Sequence, residues 1–216
     1  VEVVEKMGRR EGIGDLLAEG TKRAADRLGE GAEAYAIQVK GQEVPMHEPR
    51  LKKALGLGYS VSPTGADHCH NMHDTIMAGR SVEKLRPLGI LEEVPVESFG
   101  PEKVRMYKYQ MEMRILANCL SICQFPPWTV TEYADLVQAV TGWDVTIFEL
   151  AKVAQRALNL ARVFNLREGF TASDDWLHPR FFRPQTSGAL SKTSVDPSEL
   201  KSAISTYYEM MGWDRD

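Results

Sequence analysis

Asn118-Cys119-Leu120-Ser121-Ile122-Cys123-Gln124-Phe125 closes a long helical pattern and stands just before the stop signal Pro126-Pro127. Working backwards, Val104, Tyr107, Met111 and Ile115 recur at three- and four-residue spacing, which predicts a core-facing helix. Pro101 fits its first position, where the missing N–H is no loss. Working forwards, a helix is expected from Thr129 or Thr131 to Gly142. Asp144 reads as the N-cap of a second long helix reaching about Arg167. Its expected core face is Ile147, Leu150, Ala151, Ala154, Leu158, Ala161 and Phe164. Asp196-Pro197-Ser198-Glu199 is a cap, a proline and a capping-box Glu, opening a last helix with Leu200, Ile204, Tyr207, Tyr208 and Met211 inward.

The N-terminal half is less regular. Asp15 to Leu28 predicts one helix with Leu16, Leu17, Ala24, Ala25 and Leu28 on a broad face, ended by Gly29 and Gly31. Val39 to Pro45 is a short extended loop or edge strand. Leu51 to Ser60 is a weak helix whose Gly56 and Gly58 allow another backbone or a ligand close approach. Residues 62–79 are polar and without period, and residues 86–101 carry three prolines and read as loop. Residues 169–195 are irregular, anchored by Trp176, Phe181 and Phe182. The fold class is mainly α. Val1-Glu2-Val3-Val4 reads as the middle of a helix, so the protein is expected to begin upstream.

Composition narrows the function. The chain has 216 residues, 43% hydrophobic and 26% charged, enough for one large domain or two small ones. A net charge of −4 with no basic stripe argues against a nucleic-acid partner. No apolar run approaches a membrane span, and there is no signal peptide. Three cysteines are too few for a disulfide framework and point to a reducing, cytoplasmic setting. There is no internal repeat and no glycine-rich dinucleotide fingerprint.

Two groups of residues could carry chemistry. Cys119 and Cys123 lie one turn apart if the helix persists; on spacing alone they read as small buried hydrophobes. A zinc site or an iron–sulfur cluster needs four ligands, so a cluster would require cysteines from elsewhere. Asp67-His68-Cys69-His70-Asn71-Met72-His73-Asp74 holds three of the five histidines. It reads as a polar loop whose histidines bond backbone carbonyls, as a metal site of His68, His70 and His73 with Cys69 available, or as the seat of one general acid/base. Asp174-Asp175 reads as a solvated turn or cap, and Tyr35, Tyr107 and Tyr207 as core.

Taken in order, Glu11 to Ala25, Val39 to Pro45, Glu48-Pro49-Arg50, Gly56 to Ser62, Gly65-Ala66-Asp67-His68, Asn118 to Phe125, Asn165 to Phe170, Pro179-Arg180-Phe181-Phe182 and Tyr207 to Asp214 resemble the tungsten-pterin aldehyde:ferredoxin oxidoreductase family over essentially the whole chain. The resemblance implies a multi-helix orthogonal bundle like that family's C-terminal helical domains, with residues 1 to about 50 belonging to the preceding helical domain. It implies oxidation of aldehydes to carboxylic acids, ferredoxin as electron acceptor, a tungsten (or molybdenum) bis-pterin and a 4Fe–4S cluster. Three cluster cysteines would come from an upstream C-x-x-C-x-x-x-C segment; the fourth ends a D-x-x-G-L-C motif that contacts a pterin. Here that motif reads Asn118 to Cys123, so Cys123 matches the metal ligand. Asn118 stands for the Asp and Ser121 for the Gly, and Asn118, Ser121, Ile122 and Asp67 form the cofactor-binding set. His68 matches the family's near-metal histidine and is the implied proton-transfer residue. The chain alone is then expected to be inactive and to need the rest of its own polypeptide; the resemblance also allows a homodimer. A benzoyl-CoA-reductase-type subunit and a stand-alone helical binding module are the alternatives.

Overall fold

The computed structural model describes residues 1–77 and 82–214. Three short helices open it: α1 (Glu2–Arg9), α2 (Ile13–Leu17) and α3 (Thr21–Leu28). The single helix expected from Asp15 to Leu28 is therefore two, because Gly20 takes φ 84 between them, a value no helix accommodates. Ala24 and Ala25 are buried as expected, but Leu28 is exposed. The extended segment is a hairpin, β1 (Gln38–Val39) against β2 (Gln42–Glu43), in the register Gln38↔Glu43 and Val39↔Gln42. Its two-residue turn, Lys40-Gly41, has positive φ at both positions (52° and 86°), which suits the right-handed twist of the strands.

Helix α4 (Lys53–Val61) lies at the centre, with every residue buried. Apolar, aromatic or small beyond Lys53, it can serve as a shared wall between two cores. One face joins Val104, Tyr107 and Met111 of α7 (Pro101–Cys119) and Tyr207 and Tyr208 of α10 (Pro197–Met211). The other packs Leu55 and Tyr59 against Val39, Leu177, Phe181 and Leu200. Phe181, with Trp176 and Phe182 partly buried beside it, anchors the irregular stretch as expected. A third core joins Leu116 and Ala117 of α7 to Val130, Tyr133 and Val137 of α8 (Val130–Thr141) and to Leu150 and Ala154 of α9 (Ile147–Arg167). Each large apolar side chain so buried contributes about 1.5–3 kcal/mol.

Several details differ from the sequence reading. The N-cap of α9 is Thr146, not Asp144: Thr146 accepts from Glu149 N, and Glu149 returns a bond to Thr146 N at 2.8 Å. Phe164 is exposed, not core, because nothing covers that face of α9 among the described residues. Tyr35 is exposed, while Tyr107 and Tyr207 are buried. Asp175 is deeply buried between two cations, whereas Asp174 is the expected cap, bonded to Thr171 N at 2.7 Å. The expected loop at 62–79 contains a short helix, α5 (Asp74–Met77); residues 78–79 lie outside the described residues. Helix α6 (Val82–Leu85) follows. No helix among the described residues is long and apolar enough to cross a membrane.

Candidate functional site

The histidine-rich loop runs between α4 and α5 and is pinned from beneath. Asp74 accepts hydrogen bonds from Ala54 N (3.0 Å) and Leu55 N (3.1 Å), so its carboxylate caps the start of α4. Lys103 on α7 donates to the same carboxylate at 3.1 Å, and both side chains are fully buried. Asn71 accepts from the Tyr107 hydroxyl (3.0 Å) and donates to Asp67 O (2.6 Å). Gly58 is needed here: a Cβ on it would lie 2.6 Å from Asn71 Cγ. The loop therefore has fixed feet: Met72 is buried beneath it, Asp67, His68, His70 and His73 are partly exposed, and Cys69 is exposed.

Those side chains divide. His68 and His73 meet His47, which precedes α4, with ring centroids 4.9 Å (His47–His68), 4.5 Å (His47–His73) and 6.1 Å (His68–His73) apart. Lys52 Nζ stands 3.4 Å from His47 Nδ1 and 3.3 Å from His73 Nδ1. His73 Nε2 lies 3.1 Å from His68 O. Burial, and then the Lys52 ammonium, push His73 down to about 4, and the same two causes lower His47. Both are neutral near pH 7. His70 points elsewhere, to Asp67 Oδ2 (3.2 Å) and Thr64 (3.4 Å). The metal site of His68, His70 and His73 is thus not assembled: His70 is turned away and both nitrogens of His73 have partners. A tighter group is Asp67, His68 and Cys69, whose ligand atoms lie within 4.8 Å of one another; Cys69 Sγ is 3.6 Å from His68 Nε2.

Helix α7 ends in a double-bonded cap. Ile122 N donates to Ala117 O at 2.8 Å and Ser121 N to Asn118 O at 3.1 Å, with Ser121 in the left-handed region at φ 56. That cap turns Ile122 and Cys123 back over the end of the helix. Cys119 and Cys123 are both exposed, which overturns their reading as buried hydrophobes. The chain of bonds from Arg114 Nη1 to Gln124 Oε1 (2.6 Å) and from Gln124 Nε2 to Asn118 Oδ1 (3.3 Å) fixes the segment beyond it.

The two groups of residues face one cleft of about 720 Å3. His47, His68, Cys69 and His73 line it together with Asn118, Ile122, Cys123 and Gln124, and with Arg114, Trp128 and Tyr133. Its volume falls in the range of small-molecule sites, about 300–1,000 Å3. Of the expected site residues, His68, Asn118, Ile122 and Cys123 line it; Asp67 and Ser121 do not, but Asp67 accepts from Cys69 N at 2.7 Å and Ser121 makes the turn before Ile122. Sequence reasoning missed His47, Arg114 and Gln124. Arg114 had a signal, since Gln110, Arg114 and Asn118 recur every fourth residue as a polar stripe on α7, and Gln110 also lines the cleft.

The chain is similar to known proteins over its whole length. The family model for aldehyde ferredoxin oxidoreductase, domains 2 and 3, matches residues 1–216. The tungsten-containing aldehyde ferredoxin oxidoreductase of Pyrococcus furiosus is 31% identical over 217 residues, 99% of this chain and 34% of the relative. The protein of the same name from Pyrococcus abyssi is 31% identical over 216 residues, 99% of this chain and 33% of the relative. The aliphatic sulfonate oxidoreductase, WOR-like subunit, of Pyrococcus furiosus is 29% identical over 224 residues, 98% of this chain and 31% of the relative. Among solved structures, the active site complex BamBC of benzoyl coenzyme A reductase with 1,5 dienoyl-CoA shares the fold, with a TM-score of 0.70 and 22% identity over 99% of this chain and 36% of that one. The chain spans about a third of the length of the curated relatives it matches. With a family match over all 216 residues, the chain belongs to the aldehyde ferredoxin oxidoreductase family of oxidoreductases.

Proposed function

We propose that this chain forms the helical wall of the active site in an enzyme that oxidises aldehydes to carboxylic acids and passes the electrons to ferredoxin. One observation carries the reading: the histidine-rich loop and the Asn118–Cys123 turn, fifty residues apart in sequence, both contribute to the lining of one cleft. The residues fit the family's cofactors in part. Cys123 offers one exposed thiol on the cleft wall, as a single ligand of a cluster completed from elsewhere requires. Asn118 presents a side-chain amide beside it. When bound, a tungsten-pterin centre and a 4Fe–4S cluster would supply the two-electron chemistry and its onward transfer.

The chain's own residues handle protons. Conversion of RCHO and water to RCOO− releases three protons and two electrons. A base in the cleft is needed, and an imidazole suits the task near neutral pH. His68 is the proposed proton acceptor: it lines the cleft, and its Nε2 faces the Cys69 thiol rather than a backbone partner. His73 is held neutral and bonded to the His68 carbonyl, so it orients the loop instead. In the complete enzyme, His68→Ala should lower turnover by about 10²–10⁴-fold with tungsten and iron content near normal. His70→Ala, outside the cleft, should change turnover little. Near-normal turnover in His68→Ala would remove the proton-transfer role.

A further inference from the structure

The backbone on both sides of His68 is held by side chains. The peptide unit before it, between Asp67 and His68, has its carbonyl bonded to Asn71 Nδ2 at 2.6 Å. The unit after it, between His68 and Cys69, is bonded at both ends. Its carbonyl lies 3.1 Å from His73 Nε2, and its N–H donates to Asp67 Oδ1 at 2.7 Å. With both flanking planes fixed, φ and ψ of His68, the two soft torsions between them, lose their freedom. Asp67 and His73 are partly exposed, but Asn71 is wholly buried. So is Tyr107 on α7, whose hydroxyl donates to Asn71 Oδ1 at 3.0 Å. Burial pushes the Tyr107 pKa well up, so the hydroxyl stays a donor. The Asp67 carbonyl can only accept, so the amide nitrogen must face it and the amide oxygen must face Tyr107. On α4, a Cβ at Gly58 would lie 2.3 Å from Asn71 Oδ1, so the helix leaves room for the amide and no more. A leucine would fill the same space without desolvating a polar group; what the amide adds is the pair of directed bonds.

We propose that Asn71, held by Tyr107, is the positioning residue for His68. The proposal rests on the proton-transfer reading of His68 and adds the element that sets where that imidazole stands. Tyr107 belongs to α7, a helix packed into two of the three cores. The strut from Tyr107 through Asn71 to the Asp67 carbonyl therefore refers a partly exposed loop to a fixed part of the fold. Catalysis falls steeply when a reacting group moves, about a hundredfold for 1 Å. Freeing one of the two peptide units beside His68 permits a shift of that kind.

Tyr107→Phe tests this, because it keeps the ring in the core and removes only the hydroxyl. In the complete enzyme, with tungsten and iron content as in the parent, it should lower kcat about tenfold to a hundredfold and leave KM within about twofold. In a His68→Ala background the same change should have no further effect, because the strut acts only through that imidazole. Asn71→Ala should lower kcat at least as much, and the double variant Tyr107→Phe/Asn71→Ala no more than Asn71→Ala alone. Val104→Ala, about one turn earlier on α7 and buried in the same core, loses packing without touching the strut. It should keep kcat within about twofold. Hydrogen–deuterium exchange gives a reading that needs no turnover: the amides of residues 67–73 should exchange several-fold faster in Tyr107→Phe and not in Val104→Ala. Unchanged kcat in Tyr107→Phe, equal losses with and without His68, or unchanged exchange at 67–73 overturns the proposal. Near-normal turnover in His68→Ala removes the proton-transfer reading instead; faster exchange in Tyr107→Phe then still assigns the strut to the His68 backbone, and unchanged exchange removes both.

Discussion

Ser121 and His73 show how single residues set the site. Ser121 takes φ 56 at the turn that aims Ile122 and Cys123, where the resembling family motif has glycine. A left-handed conformation strains an L residue by about 1–2 kcal/mol, so here the glycine position answers to backbone conformation. The serine keeps the turn because two capping hydrogen bonds and the packing of Ile122 over-determine it. His73 is read through its protonation. Burial and Lys52 hold it near 4 in the fold, below about 6.5 in the unfolded chain. Above about pH 6.5 both states are neutral and the residue has no effect on the pH slope. As pH falls from 6.5 towards 4 the unfolded chain takes up a proton that the folded chain refuses, so stability falls in that window. His73→Gln keeps a donor for the His68 carbonyl and removes the titration. The parent's thermal midpoint should therefore fall more steeply than the variant's between pH 6.5 and 4. Parallel curves would mean that His73 titrates normally.

At the level of elements, most helices were legible because their ends are chemical. Pro101, Gly142 and Asp196-Pro197 mark boundaries that the structure keeps, and Asp196 accepts from Ser198 N at 2.8 Å and Glu199 N at 3.0 Å. Where two signals competed, spacing alone was not enough. Asp144 and Thr146 are both good caps, but only Thr146 has a Glu three residues on, and that reciprocal pair decides the start of α9. Thr146→Ala should thus destabilise by about 1 kcal/mol, measured by denaturant titration, whereas Asp144→Ala should stay within about 0.5 kcal/mol. The reverse ranking would restore Asp144 as the cap. Periodicity also failed to say which apolar positions find a partner. Phe164 falls on the expected core face of α9 yet is exposed, because burial depends on what packs against a face and not on the face itself. The cleft was illegible for the same reason: its two walls were each visible in the sequence, but their meeting depends on α4 and α7 packing side by side.

The whole molecule is tied together by charges that composition would place in water. Asp175 lies between Lys40 Nζ, 2.7 Å from Oδ1, and Arg162 Nη1, 2.8 Å from Oδ2, and Tyr208 donates to the same Oδ2. Lys40 also donates to Ser60 O on α4, and the Arg162 guanidinium lies 5.1 Å from the rings of Tyr208 and Trp213. One carboxylate thus links the N-terminal hairpin, α4, α9 and α10. Such residues read as a solvated turn in sequence because nothing local reports the three partners. Lys40 lies at poor angles for a hydrogen bond, so Oδ1 has a charge beside it but no hydrogen-bond partner among the described residues. The attraction there is that of charge, and burial lowers the lysine's pKa against it. Asp175→Asn keeps shape and hydrogen-bonding capacity while stripping two buried cations of their anion. Breaking a buried pair in this way costs about 3–5 kcal/mol, or roughly 6–20 °C in thermal midpoint for a chain of this size. Lys40→Met added to Asp175→Asn removes one of the stranded cations. The double variant should therefore be more stable than Asp175→Asn alone by at least about 1 kcal/mol, a coupling that independent sites would not show. Strict additivity of the two changes, or a loss under about 1 kcal/mol for Asp175→Asn, would show that the hairpin is held by packing and not by this carboxylate.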